Sequence, residues 1–165
     1  MSGEGLVAVP VQPAAPASGA RRSASRWVRV HRLLRAAPRR VFEAWTSPTE
    51  LARWFPREVE GTLQPGTRTT LRWPDQSIWW EVIRLVPDRE VSFRWPWLPD
   101  DAWRTVVTVR FQRERAGTLV SLEDGPFDTA DPRLLDAYAE AAAGWAEALA
   151  QLAGYLDFAV DLRAG

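Results

Sequence analysis

The chain has 165 residues, 46% hydrophobic and 25% charged, which is the size and balance of one globular domain with a sizeable core. Its 21 basic residues match its 21 acidic ones, so the chain-wide positive field of a nucleic-acid binder is excluded. Every basic residue is arginine, cysteine is absent and His31 is the one histidine, which leaves no disulfide, thiolate nucleophile, Schiff-base or P-loop lysine, or multi-histidine metal site.

Residues 1–25 are rich in Ala, Pro, Gly and Ser without periodicity, the composition of a disordered leader. No basic run precedes their short apolar stretch and prolines interrupt it, so a secretory signal fits poorly and a cytoplasmic location is expected. No run of about 18 apolar residues is present to span a membrane. One domain is expected over 26–160, with 161–165 as a short tail.

From Arg26, RWVRVHRLLR reads as a first strand. Pro38 opens a short helix whose face carries Val41, Phe42 and Trp45. Ser47-Pro48 caps and opens a second, with Leu51, Trp54 and Phe55 on its face. Six strand-like runs follow: EVEGTL, TRTTLRW, SIWWEVIRLV, REVSFRWPW, WRTVVTVRF and TLVSLED. Turn signals such as Gln64-Pro65-Gly66 and Pro87-Asp88-Arg89 separate them, so they predict an antiparallel meander. Alternation sets Ile78, Trp80 and Val82 on one face with Val91, Phe93 and Trp95, then Trp103, Thr105, Val107, Val109 and Phe111. Both faces of the Trp79/Trp80 strand are apolar, so two registers remain. In one, Glu81 and Arg94 face solvent. In the other they enter the interior, where Arg94 would suit a carboxylate. Asp131-Pro132 starts a last helix. Its stripe is Leu135, Tyr138, Ala142, Trp145, Leu149, Leu152 and Leu156, over roughly 30 residues and about 45 Å.

Strand, two short helices, six strands and a long helix make an α+β helix-grip arrangement: a curved antiparallel seven-stranded sheet wrapped around the C-terminal helix. The residues point the same way. Ala37-Pro38, Val41, Phe42, Ala44, Trp45, Thr46, Pro48, Leu51 and Trp54 match an Ala-Pro pair followed by V-[WF]-x-[AL]-[WL]-T-x-P and a tryptophan-bearing second helix. Leu63–Gly66, Ile83–Arg89, Arg94-Trp95 and Gly144-Trp145 match further ordered segments. Over residues 26 to about 160 the chain thus resembles the activator of heat-shock-protein-90 ATPase branch of the START-like (SRPBCC) superfamily. It departs at Thr67, where a second glycine is usual, and at Glu123–Phe127, where the family often has His-x-G-[FL]. The resemblance implies a cavity for an apolar or amphipathic small molecule between sheet and helix, and a link to stress response, but no cofactor.

Ten tryptophans stand against two tyrosines and six phenylalanines. Such rings fill cores or wall pockets equally well. Trp45, Trp54, Phe55, Trp80, Phe93, Trp95, Trp103, Val107, Tyr138, Trp145 and Leu149 are the candidate ligand-binding residues. Glu123 and Asp124 are adjacent on a strand and so point to opposite faces, which rules out a carboxylate dyad. His31 reads as a structural or exposed strand residue, and no catalytic residue is assigned. Charge is segregated: residues 1–57 hold ten arginines and three acids, residues 121–165 two arginines and nine acids. That pattern reads as solvated faces, ends that attract each other, or a dipole that steers a charged partner. The leading expectation is a carrier or sensor of a small hydrophobic ligand. The alternatives are a cyclase- or hydrolase-type enzyme using the same cavity, and a module that regulates a chaperone or binds another protein through its outer surface.

Overall fold

The computed structural model describes residues 24–163. The leader expected over 1–25 therefore lies almost wholly outside the described residues. The elements run β1 (Ser25–Leu34), α1 (Pro38–Thr46), α2 (Pro48–Trp54), β2 (Glu58–Glu60), β3 (Arg68–Arg72), β4 (Ser77–Val86), β5 (Glu90–Pro96), β6 (Arg104–Glu114), β7 (Gly117–Asp128) and α3 (Pro132–Phe158), with a short 3-10 turn at Pro99–Asp101. The seven strands form one antiparallel sheet in the order β1-β7-β6-β5-β4-β3-β2. This is the expected helix-grip architecture: the meander places β2 to β7 side by side, and β1 closes beside β7.

Capping chemistry starts the helices where the sequence marks them. Prolines open all three. Ser47 accepts a hydrogen bond from the Glu50 N–H at the start of α2, and Asp131 accepts one from the Arg133 N–H at the start of α3. A salt bridge from Arg40 to Glu50 (2.7 Å) and the Tyr155 hydroxyl donating to Glu50 (2.7 Å) tie α1, α2 and α3 together.

Pairing settles the register left open by sequence. Trp80 and Val82 are buried with Val91, Phe93 and Trp95. Glu81 lies opposite Arg94 on the outer face and pairs with it at 2.7 Å. The outer face also carries an alternating ion row, Arg29–Glu123–Arg110–Glu90–Arg84, that crosses five strands with contacts of 2.8, 3.7, 3.4 and 3.7 Å. Opposite charges on neighbouring strands favour this register over a slipped one.

α3 runs 27 residues, about 40 Å, along the inner face. Its buried stripe begins at Leu134, Ala137 and Ala141, then runs through Trp145, Ala148, Leu149 and Leu152. The expected stripe is therefore corrected in the first half of the helix: Leu135 is 49% exposed and Ala142 also faces out. A repeat of 3 and 4 averages 3.5 residues, whereas the helix turns every 3.6, so a stripe extended backwards from Trp145 drifts off the contact face. Beyond α3 the chain is anchored. The Arg163 guanidinium donates to the carbonyls of Ala52 (2.8 Å) and Arg53 (2.7 Å), satisfying acceptors at the end of α2, and is held by Asp161 (2.9 Å).

Candidate functional site

The aromatic residues separate into two layers. Trp45, Trp54, Trp80 and Phe93 are buried to 1% exposure or less. They pack ring on ring, with Trp80–Phe93 centroids 4.1 Å apart and Trp45–Trp54 4.9 Å apart edge-on. The Trp54 indole N–H donates to the Ala44 carbonyl (2.9 Å), fixing α2 against α1. Val107 and Leu149 are buried as well. These residues fill the space between sheet and helix rather than line a void there. Helices α1 and α2 supply Trp45 and Trp54 to this filling, as the sequence pattern requires.

The second layer faces an open cleft of about 450 Å³ between the β3–β5 end of the sheet and the middle of α3. Phe55, Trp73, Trp95, Trp97 and Trp145 form its aromatic wall, and Gln76, Glu140, Glu147 and Gln151 contribute its polar groups. The rings interlock: Trp95–Trp145 centroids are 5.1 Å apart, Phe55–Trp73 5.1 Å, and Trp95–Trp97 6.1 Å. The Trp73 indole is pinned by donating to the Phe55 carbonyl (3.0 Å). On the α3 side the wall includes Gly144 and Ala148, one turn apart. A Cβ added at Gly144 would meet nothing within 4 Å. A glycine inside a helix costs about 1 kcal/mol relative to alanine. At this position no close packing requires it, and the missing side chain keeps the cleft open.

Behind that wall lies Asp124, fully buried on the inner face of β7. Its Oδ2 accepts the Trp145 indole N–H at 2.8 Å. The Trp97 indole N–H donates to Thr105 Oγ1 (2.8 Å), which leaves the Thr105 hydroxyl proton for the nearby carboxylate. Asp124 Oδ1 has no partner of good geometry. Burial raises this carboxyl from 3.8 to about 6, against the smaller opposing effects of Thr105, Trp145 and Trp97. Asp124 is thus connected to two rings of the cleft wall but does not itself line the cleft.

Of the expected ligand-binding residues, Phe55, Trp95 and Trp145 meet in the cleft. Trp45, Trp54, Trp80, Phe93, Val107 and Leu149 lie in the packed layer. Tyr138 sits further along α3, half-buried, with its ring 5.8 Å from Phe127. Trp103 does not join the concave face: β6 begins after it, and its indole N–H donates to the Pro126 carbonyl (3.0 Å). Sequence reasoning missed Trp73, Trp97 and Asp124. His31 is exposed and contacts Ser121 Oγ at 3.1 Å. Glu123 points outward to Arg29 and Arg110, so the adjacent acids do diverge. Among the described residues no group of three or more His, Cys, Asp or Glu could hold a metal ion, and no helix is long and apolar enough to cross a membrane.

The family model for activator of Hsp90 ATPase homolog 1-like proteins matches residues 35–157. The chain belongs to this family. Its match spans α1 through almost all of α3, the segment that builds both aromatic layers. Among solved structures, a Mesorhizobium loti protein is similar at 26% identity and TM-score 0.72, covering 83% of this chain and all of that one. DynU16, described as a putative protein in the dynemicin biosynthetic locus, is similar at 26% identity and TM-score 0.70 over 81% of this chain and 48% of its own. An Aha1 protein from Colwellia psychrerythraea, solved as a dimer, shares the fold at 18% identity and TM-score 0.71, over 80% of this chain and 96% of that one. No curated protein matches the chain.

Proposed function

We propose that this family member binds a small amphipathic molecule in the cleft walled by Phe55, Trp73, Trp95, Trp97 and Trp145, and acts as a carrier or sensor in the cytoplasm. The observation that carries this reading is the cleft of about 450 Å³, in which Phe55, Trp73, Trp95 and Trp97 meet Trp145 beside a helix face left bare at Gly144. Its volume lies within the range of small-molecule sites. A flat apolar or aromatic body stacks on the rings, and the polar end of the ligand meets Glu140, Glu147, Gln76 and Gln151. Two carboxylates among these favour a ligand whose polar end is cationic or rich in hydrogen-bond donors. An enzymatic use of the cleft is disfavoured by Asp124: it is the one fully buried carboxylate among the described residues, and it lies behind Trp145 without lining the cleft.

Titration with Nile red, a neutral hydrophobic dye, tests the proposal. The dye should quench tryptophan emission in the wild type. Gly144→Phe should fill the cleft from the helix side and abolish the quenching, with circular dichroism showing that the fold is kept. Equal quenching in wild type and Gly144→Phe would refute this site.

A further inference from the structure

The second large recess lies at the other end of β4 and shares no lining residue with the aromatic cleft. It is a groove of about 670 Å³ between the β4–β5 turn, the end of β6 and the start of α1. Five arginines line it: Arg39, Arg84, Arg89, Arg110 and Arg113. Asp88 and Glu90 are its acids, and Pro38, Val86 and Phe111 its apolar surface. The platform is firm, because the Phe111 N–H donates to the Arg89 carbonyl at 2.8 Å and holds the turn to β6.

The ion pairs do not neutralise the groove. Glu90 is shared by Arg84 (3.7 Å) and Arg110 (3.4 Å), and both contacts use the arginine Nε. Arg84 has no second carboxylate among the described residues. Arg39 pairs with Glu43, at 3.3 Å, and with no other carboxylate among the described residues. Arg89 and Arg113 are exposed and enter no ion pair among the described residues. Arg110 is also paired with Glu123 (3.7 Å), and the five arginines against two acids leave the lining positive on a chain of zero net charge.

We propose that this groove docks an extended acidic segment of a partner protein, with apolar side chains interleaved among its carboxylates. The exposure of the arginines decides between a peptide and a small anion. The side chains of Arg39, Arg84 and Arg110 are 79%, 66% and 55% exposed. A single pair with a guanidinium that exposed is worth little, so useful affinity needs several pairs at once. The arginines come from three separate elements. Arg84 and Arg110 sit two strands apart, about 10 Å, whereas alternate residues of an extended chain repeat about every 7 Å. A peptide therefore reaches several guanidiniums together, while a small anion reaches one or two. Guanidinium forks suit carboxylates, and the half-exposed Val86 gives the intervening side chains an apolar contact.

Fluorescence anisotropy of the full chain with a fluorescein-labelled peptide of alternating Glu and Leu tests this. Binding is expected, and it should weaken as NaCl rises from about 50 mM to about 500 mM. Arg89→Glu with Arg113→Glu should weaken it by roughly tenfold or more, and the same pair changed to Gln by less. Arg32→Glu, exposed on β1 outside the groove, should leave it unchanged, and Gly144→Phe should as well. Should the Glu pair fail to fold, the Gln pair still decides the matter. Equal affinity for a Gln-and-Leu peptide would overturn the proposal, as would indifference to both Arg89/Arg113 variants. Displacement of the peptide by an equimolar amount of inorganic pyrophosphate would identify a small-anion site instead. A dimer in sedimentation that the Arg89/Arg113 changes dissolve would make the occupant a second copy, and likewise overturn it.

Discussion

Replacing Asp124 by asparagine isolates one buried titration. Burial raises the Asp124 carboxyl from 3.8 to about 6 in the folded protein. Between those values the folded chain holds a proton that the unfolded chain has released. Stability contributed by this group is therefore complete below about pH 3.8 and is lost as pH rises through about 6. At 1.36 kcal/mol per pKa unit the loss is about 3 kcal/mol. Asparagine keeps the shape and an acceptor for the Trp145 N–H but does not titrate. Urea unfolding of wild type and Asp124→Asn, followed by circular dichroism from about pH 4 to about pH 7, gives the stability difference at each pH. Groups common to both proteins cancel, including Glu123, whose carboxyl is held low first by its hydrogen bond from Arg29. The uncharged neighbours Trp145, Thr105 and Trp97 add no titration of their own. Wild type should lose about 2 kcal/mol of that total relative to the variant across this range, since part of it is already lost at pH 4. The Trp145 indole proton resonance should move with the same midpoint. A difference that stays constant with pH would refute the reasoning.

Trp145→Ala should cost about 3–5 kcal/mol in chemical unfolding, since it removes a buried ring and the donor to Asp124 together. Trp145→Phe, which keeps much of the ring packing, should cost less. Gly144→Ala should raise stability by about 1 kcal/mol, because its Cβ meets open space and the helix gains a better former. Arg163→Ala should lower stability by about 1–3 kcal/mol, through the carbonyls it leaves bare at the end of α2, and thermal unfolding reads the loss. Arg163, chiefly through its hydrogen bond, lowers the Asp161 carboxyl from 3.8 to about 2. Stability from this contact is present above about pH 3.8 and falls as pH drops through about 2, so Asp161→Asn should flatten that acid limb.

Strand positions, turns and helix starts were legible in the sequence because local chemistry fixes them. Proline at the first helical turn, Ser47 and Asp131 as caps, and Pro-Asp turns act within a few residues. The inner face of β5 was legible too, since Val91, Phe93 and Trp95 alternate with polar neighbours. β4 was not, because both of its faces are apolar and pairing with Arg94 decides which side Glu81 takes. In the first half of α3, alanines outnumber large residues, so a leucine on either side of the contact line completes a plausible stripe; the packed one is Leu134. Asp124 left a signal that was not used. Val120, Leu122 and Asp124 share parity, and two buried aliphatics ahead of it place the carboxylate in the core. Glu123 was correctly separated from it by the same rule.

Whether the tryptophans fill or line was beyond sequence because it depends on the closeness of α3 to the sheet. Ala137, Ala141 and Ala148 bury little volume and let the helix backbone lie near the strands. The inner rings of Trp45, Trp54, Trp80 and Phe93 then meet with no room left between them. An open space survives where the helix presents Gly144 and Ala148 and the sheet side presents Trp73, Trp95 and Trp97. The cleft is therefore made by small residues on one side and large rings on the other. A flat molecule replaces there the aromatic layer that the helix does not supply. This also explains why Trp145 is held from behind by Asp124: the residue is 3% exposed where it meets the cleft wall, and the indole N–H bond adds a fixed direction to the packing against Phe55, Phe93 and Trp95.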